Sequence, residues 1–332
     1  MSFACPILYL APMAEITDAP FRGIAREYGA DVTVTEMISA AGLARGNRRT
    51  RMMLEHTPDE RPLAVQLYGG DPDEMAEAAR IAAKFGGFDA IDINAGCPVP
   101  KVLKCGGGAA LMRTPAKIGG MVAKIREASG LPVTVKTRIG LNPKTVTIFD
   151  VLRAVEEAGA TSIAVHGRFA SAGHGGAIDL PLLAETVAAA KIPVTVNGGI
   201  NNADDALRVA RETHAAGLMI GRAAIGKPWI FGEIKRRFSS REPANENSRP
   251  ALTVFEEHLK RIVSFYGSFG LKYPELFPDP EKPALRAFTS HLFRYFSGIA
   301  GANGIRRGMN SCRSVDDILR LVKKEISSES EP

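Results

Sequence analysis

Three consecutive runs, Val133-Thr-Val-Lys-Thr137, Ile148-Phe-Asp-Val-Leu-Arg-Ala-Val-Glu-Glu-Ala158 and Ser162-Ile-Ala-Val-His166, settle the architecture. The first and third are short and rich in β-branched residues; the second places apolar residues three and four apart. That is strand, helix, strand. The same alternation extends to both sides. Strands are predicted at 7–10, 32–35, 63–67, 90–94, 133–137, 162–166, 194–197 and 217–221, and intervening helices at 72–85, 115–129, 148–158 and 204–212. Asp71-Pro72 and Thr114-Pro115 read as polar caps followed by proline at the first helical position. Eight strands in βα alternation predict an α/β fold closed as a parallel TIM (β/α)8 barrel. An open doubly wound sheet is the alternative, but no GxGxxG follows the first strand.

Such a barrel takes about 250 residues, and the chain has 332, so a smaller appendage is expected. Residues 239–250 are polar, hold two prolines and read as a linker. Beyond them the periodicity is helical, at 251–269, 283–297 and 314–324, with an ordered loop over the proline-rich 273–283. Ser314-Val-Asp-Asp317 resembles a capping box. The expected division is a barrel over 1–238, the linker, a helical domain over 251–326 and a polar tail over 327–332.

From Lys235 onward there are 17 Lys and Arg against 12 Asp and Glu, whereas the first 234 residues hold 25 against 24. The tail carries most of the net +6, which points to a polyanionic partner. No apolar run approaches the roughly 20 residues of a membrane span, and no signal-peptide pattern opens the chain, so a cytoplasmic protein is expected. A monomer is the default expectation. Cys5, Cys97, Cys105 and Cys312 form no CxxC pair and have no zinc-ligand spacing, so neither disulfides nor metal is expected. Buried thiols are the default for all but Cys97.

In a TIM barrel the strand ends and the loops after them build the active site. Here those ends carry Ala11-Pro-Met-Ala14, Gln66, Asn94-Ala-Gly-Cys-Pro98, Lys136, His166-Gly-Arg168, Asn197-Gly-Gly199 and Gly221-Arg222. The loops after strands seven and eight commonly cradle phosphate. Asn197-Gly198-Gly199 and Gly221-Arg222 offer bare backbone N–H groups and a forked cation. A single Gly-Gly would mean only a tight turn; two such sites on adjacent strands read as a phosphate cradle. Lys136, in an apolar strand, needs an anionic partner. The negative N1–O2 edge of a reduced flavin is one; an ion pair with Asp92 or Glu36 is the other. Gln66 can donate to and accept from a flavin ring edge.

Cys97 is the candidate for chemistry. The Asn94-Ala-Gly-Cys-Pro98 turn projects its thiol from a stiff loop, and Gly106-Gly-Gly108 gives the following segment the composition of a lid. An unperturbed thiol titrates near about 8.5. It stays protonated at neutral pH and suits a general acid; a buried inert thiol is the alternative.

Ala11-Pro-Met-Ala14, Ile16-Thr-Asp-x-Pro-Phe-Arg22, Asp92-Ile-Asn-x-Gly-Cys-Pro98, Val165-His-Gly-Arg168 and Gly221-Arg-Ala-Ala-x-Gly-x-Pro-Trp229 together resemble the tRNA-dihydrouridine synthase family, in order and spacing, over residues 7–235. The helical tail resembles, more loosely, that family's tRNA-docking domain. The resemblance implies FMN, NADPH as reductant, and reduction of uridine to 5,6-dihydrouridine in tRNA. It assigns FMN contacts to Pro12, Met13, Ala14, Gln66, Lys136, His166, Asn197, Gly198, Gly199, Gly221 and Arg222. Hydride would pass from flavin N5 to uracil C6, and Cys97 would protonate C5. Asn94 would orient the uracil, with Lys136 and His166 assisting. The uridine would have to leave its stack and enter the barrel, while the basic tail supplied salt-sensitive phosphate contacts. The chain departs from the family in having Phe169-Ala170 for the usual Thr followed by a cation, His174 for a frequent Tyr, and Thr289-Ser290-His291 for an Arg-Lys-His run. A flavin barrel acting on a small pyrimidine, or an RNA-binding relative without turnover, are the other readings.

Overall fold

The computed structural model describes residues 4–239, 251–279, 281–297 and 302–327. Eight parallel strands follow one another: β1 (Ile7–Leu10), β2 (Thr33–Val34), β3 (Leu63–Tyr68), β4 (Ala90–Ala95), β5 (Val133–Arg138), β6 (Ser162–His166), β7 (Val194–Asn197) and β8 (Gly217–Ile220). From β2 to β8 each strand pairs with the next, and β8 pairs with β1. The ring closes between β1 and β2 through a Tyr9–Val32 bridge, with the Leu10 N–H donating to the Val32 carbonyl at 3.0 Å. This is a TIM barrel with a C-terminal set of helices.

Alternation along each strand explains how the barrel holds a core and a site at once. Leu8, Leu10, Val65, Leu67, Ile91, Ile93, Val133, Val135, Ile163, Val165, Leu218 and Ile220 pack among the surrounding helices in the main apolar core. The opposite parity faces the barrel axis, where Ala11, Val34, Ala64, Ala164 and Met219 form a small apolar plug with Tyr9. Gln66, Asp92, Asn94, Lys136, His166 and Asn197 share that inward parity, one or two residues nearer the C-terminal ends.

Three local expectations need correction. The second strand is shorter than 32–35, because the Thr35 hydroxyl accepts the Gln66 N–H at 3.0 Å and interrupts the ladder. The chain rejoins the sheet at Ile38–Ser39, opposite Leu67 and Tyr68. Asp71 caps its helix as expected, accepting from the N–H groups of Asp73 and Glu74, but Thr114 makes no side-chain cap bond. Cys5 and Cys105 are exposed rather than buried.

The C-terminal helices run over Ala251–Lys272, Glu281–Tyr295, Ala302–Gly308 and Val315–Ser327. Pro283 therefore sits in a helical first turn, where its missing N–H is tolerated, and the loop is shorter than expected. Ser314 and Asp317 cap reciprocally, at 3.1 and 3.0 Å. Residues 240–250 of the expected linker and 328–332 of the polar tail lie outside the described residues. The tail has its own core of Phe255, Leu259, Phe288, Leu292, Phe296 and Val322, and Ile24 and Trp229 of the barrel insert into it. At the seam Phe21 lies against His258 and His291, and Arg261 pairs with Glu27 and Asp59.

Among the described residues no helix is long and apolar enough to cross a membrane.

Candidate active site

The C-terminal ends of the strands surround a cavity of about 420 Å³, a size typical of small-ligand sites. Every candidate residue read from the sequence lines it: Pro12, Met13, Ala14, Gln66, Asn94, Cys97, Lys136, His166, Asn197, Gly198, Gly199, Gly221 and Arg222. Arg138, Arg168 and His174 join them, and no Asp or Glu does among the described residues. A concave wall with four Lys and Arg side chains and no acid attracts an anion.

A buried chain of hydrogen bonds fixes the Cys97 turn. Asp92 accepts from Thr134 Oγ1 at 2.6 Å and from Gln66 Nε2 at 2.7 Å. Because a carboxylate only accepts, the Gln66 amide is oriented, and its Oε1 takes Asn94 Nδ2 at 3.0 Å. That leaves Asn94 Oδ1 to accept the N–H groups of Gly96 and Cys97, at 3.2 and 3.0 Å. The Cys97 carbonyl accepts the Ala109 N–H at 2.9 Å, so the glycine segment after it packs as a tight turn. Asn94 thus already spends its carbonyl oxygen on the turn; its second amide proton meets only Met37 Sδ, at 3.7 Å.

Lys136 donates to Asn197 Oδ1 at 3.2 Å, and Asn197 Nδ2 donates to the Met219 carbonyl at 2.7 Å. No ion pair joins Lys136 to a carboxylate among the described residues: Asp92 is committed to Thr134 and Gln66, and Glu36 accepts backbone N–H groups of the β1 loop. Burial, aided by Arg138 and opposed by Asp92, lowers Lys136 to about 8. A half-buried ammonium with no carboxylate partner could be completed by an anionic ligand.

Gly198 and Gly199 adopt φ of +106° and +67°, and a Cβ on Gly198 would lie 2.9 Å from His166 Cδ2. Among the described residues the N–H groups of Gly198, Gly199 and Ile200 have no hydrogen-bond acceptor. Together with Arg222, whose Nη2 donates to the His174 carbonyl at 3.0 Å, they are the groups that could hold a phosphate.

The family model described as dihydrouridine synthase matches residues 9–331. The chain belongs to this family. It is 34% identical over 310 residues to tRNA-dihydrouridine synthase B of Pseudomonas aeruginosa, covering 93% of this chain and 89% of that protein. It is 37% identical over 305 residues to tRNA-dihydrouridine synthase B of Pseudomonas syringae pv. tomato, covering 91% and 86%. Histamine dehydrogenase from Rhizobium sp. 4-9 shares the barrel fold at a TM-score of 0.50 and 14% identity, over 77% of this chain and 49% of that one.

Within this dihydrouridine synthase barrel the sequence singled out Arg168 only as part of the strand-end run His166-Gly-Arg168, and Arg138 not at all. Arg138 is 2% exposed and donates to the carbonyls of Gly96, Phe169 and Gly173, at 2.8, 3.1 and 2.7 Å. It ties the Cys97 turn to the loop after β6. Arg138 shares the inward parity of Lys136, which is the signal that would have found it. Arg168 donates from Nε to the Gly176 carbonyl at 2.8 Å and from Nη1 to His166 Nε2 at 3.1 Å. The rings of His166 and His174 stack with centroids 6.1 Å apart. Burial first, then Lys136 and the arginines, push His166 far below its ordinary value, and burial also lowers His174.

The departures fall in two places. Phe169 serves through its carbonyl, and His174 lines the cavity. His291 is buried at the seam, where Nε2 meets the Ile16 carbonyl at 2.9 Å, and Thr289 bonds back to its own helix. The Ser290 side chain lies outside the described residues.

Proposed function

We propose that this protein is a tRNA-dihydrouridine synthase, which reduces uridines in tRNA to 5,6-dihydrouridine with FMN as cofactor and NADPH as reductant. The observation that carries the reading is the electropositive, acid-free cavity that brings Cys97, Lys136 and the Gly198-Gly199 cradle together. An FMN phosphate fits the free N–H groups of 198–200 and Arg222. Its ring edge fits Lys136 and Gln66, with Pro12, Met13, Ala14 and Gly221 shaping the wall and His166 and Asn197 completing the contacts.

When bound, the flavin supplies hydride to uracil C6. Cys97 supplies the proton to C5; it stands on a turn held by Asn94 and closed by the Ala109 N–H. The second Asn94 amide proton is the one available to a uracil carbonyl. Lys136 and His166 provide further donors in the same cavity. Reaching this depth requires the uridine to be flipped out of its stack.

The domain division proposed is a barrel over 1–238, a linker over 239–250, a helical tRNA-binding domain over 251–326 and a polar tail over 327–332. The protein acts in the cytoplasm on this reading.

The full chain tests the reading directly. Purified protein should release FMN on denaturation, oxidise NADPH, and bind tRNA with an affinity that falls steeply as salt rises. Flavin-free protein, or flavoprotein whose tRNA binding is salt-insensitive, contradicts it.

A further inference from the structure

We propose that Arg168 is a positioning residue that locks His166 as the neutral tautomer with its proton on Nδ1, so that the cavity is lined by a permanent uncharged hydrogen-bond donor. A guanidinium has N–H groups and no acceptor. Arg168 Nη1 lies 3.1 Å from His166 Nε2, so at that contact the arginine donates and Nε2 must accept. An imidazole nitrogen that accepts carries no proton, and in the neutral ring the proton is then on Nδ1.

The arginine is held for this task. It is 9% exposed, and its Nε donates to the Gly176 carbonyl at 2.8 Å, which fixes the plane of the fork. The histidine ring is held too. Its Cδ2–Nε2 edge faces Gly198, where an added Cβ would come within 2.9 Å of Cδ2 and 3.1 Å of Nε2. One of its faces stacks on His174. Nδ1 is on the far side of the ring from Gly198. It has no partner among the described residues, yet it is not among the sealed polar atoms, as His258 Nε2 and His291 Nδ1 are. Its N–H is therefore presented to the cavity.

The surroundings exclude the doubly protonated ring. Lys136, Arg138 and Arg168 all raise the cost of a further positive charge there, and His174 adds to it. His174 itself faces Arg138, Arg222, Lys136 and Arg168, and no carboxylate lines the cavity to offset them among the described residues. A neutral donor suits a carbonyl oxygen, such as that of a pyrimidine, and it does not change state across the working pH range. Which ligand receives this bond rests on the proposed function; the tautomer does not.

The test is nitrogen NMR on the full chain with 15N-labelled histidine, with the His166 signals assigned by comparison with His166→Gln. In the wild type, His166 is expected to show a pyridine-like Nε2 and a pyrrole-like Nδ1, neither moving from about pH 5 to about pH 9. In Arg168→Met the pyridine-like Nε2 signal should be lost to averaging between tautomers, and titration should return toward the ordinary histidine range. A pyrrole-like Nε2 in the wild type overturns the proposal, and this readout holds even where Arg168→Met does not fold. A folded Arg168→Met with the wild-type pattern also overturns it. A locked tautomer in a protein that fails to reduce tRNA leaves the proposal standing and removes the proposed function instead.

Discussion

Gly198→Ala separates the shape of the phosphate cradle from its composition. Gly198 has φ of +106°, and an added Cβ would meet His166 Cδ2 and Ile178 Cγ2 both at 2.9 Å. Holding an L-residue in that backbone region costs about 1–3 kcal/mol, and forcing a methyl into packed neighbours costs about another 1–3. The apo-protein should thus lose about 2–6 kcal/mol of unfolding free energy in urea. The same methyl presses on the His166 ring and narrows the turn whose N–H groups are proposed to meet the phosphate, so flavin retained through gel filtration should fall at least about tenfold, equivalent to about 1.4 kcal/mol. Gly120→Ala is the control. It lies on an exposed helical face with nothing within 4 Å of the added Cβ, and should stabilise by about 0.5–1 kcal/mol. If Gly198→Ala unfolds within about 0.5 kcal/mol of the parent and keeps its flavin, the cradle is not built as described.

Cys97→Ala should lower the rate of uridine reduction by about 10²–10⁴, the usual worth of a general acid, while flavin content and NADPH oxidation stay at wild-type levels; single-turnover kinetics with tRNA checks it. Lys136 is held at about 8, below its ordinary 10.5, so between those values the unfolded chain binds a proton that the folded chain releases, and stability rises with pH across that window. The charged lysine therefore destabilises the apo-protein below pH 8, by an amount on the order of 3 kcal/mol. Lys136→Met should be the more stable apo-protein at neutral pH, lose that advantage toward pH 10.5, and bind flavin more weakly; urea titrations across pH measure it. His291, lowered by burial to about 4 from 6.5, gives a stability that falls as pH falls between those values. His291→Gln keeps an N–H for the Ile16 carbonyl and should flatten that slope relative to the parent. Asp18, raised by burial to about 7, contributes the opposite slope above its ordinary 3.8 in both proteins, so only the difference between them is diagnostic.

The barrel was legible because short apolar runs, many of them closed by Gly, Asn or Pro, alternate with helical patterns, and because outward and inward residues alternate along the strands. The cavity was legible for the same reason: Gln66, Asn94, Lys136, His166 and Asn197 stand at inward positions near the C-terminal ends, where polarity has no use in a core. What the sequence concealed depends on partners far along the chain. Arg138 reads as the charged end of a strand until the carbonyls of Phe169 and Gly173 close over it. Glu36 reads as a partner for Lys136, but its carboxyl is bonded by backbone groups of the loop after β1 instead. His291 reads as the last residue of Thr289-Ser290-His291, where the family often has an Arg-Lys-His run; its neighbours, Ile16 and Phe21, are some 270 residues earlier, across the seam between barrel and tail. Thr35 shortens a strand through a single hydroxyl, which no periodicity reveals.

This cavity is proposed to reduce uridine in tRNA with Cys97 as proton donor. Dihydrouridine content of bulk tRNA, from a strain lacking its own synthases and complemented with this protein or with Cys97→Ala, tests it most directly. Wild type should restore dihydrouridine and the variant scarcely any. No restoration by a wild-type protein that still holds FMN and oxidises NADPH would contradict it, and restoration by the variant at wild-type level would remove Cys97 from the reaction.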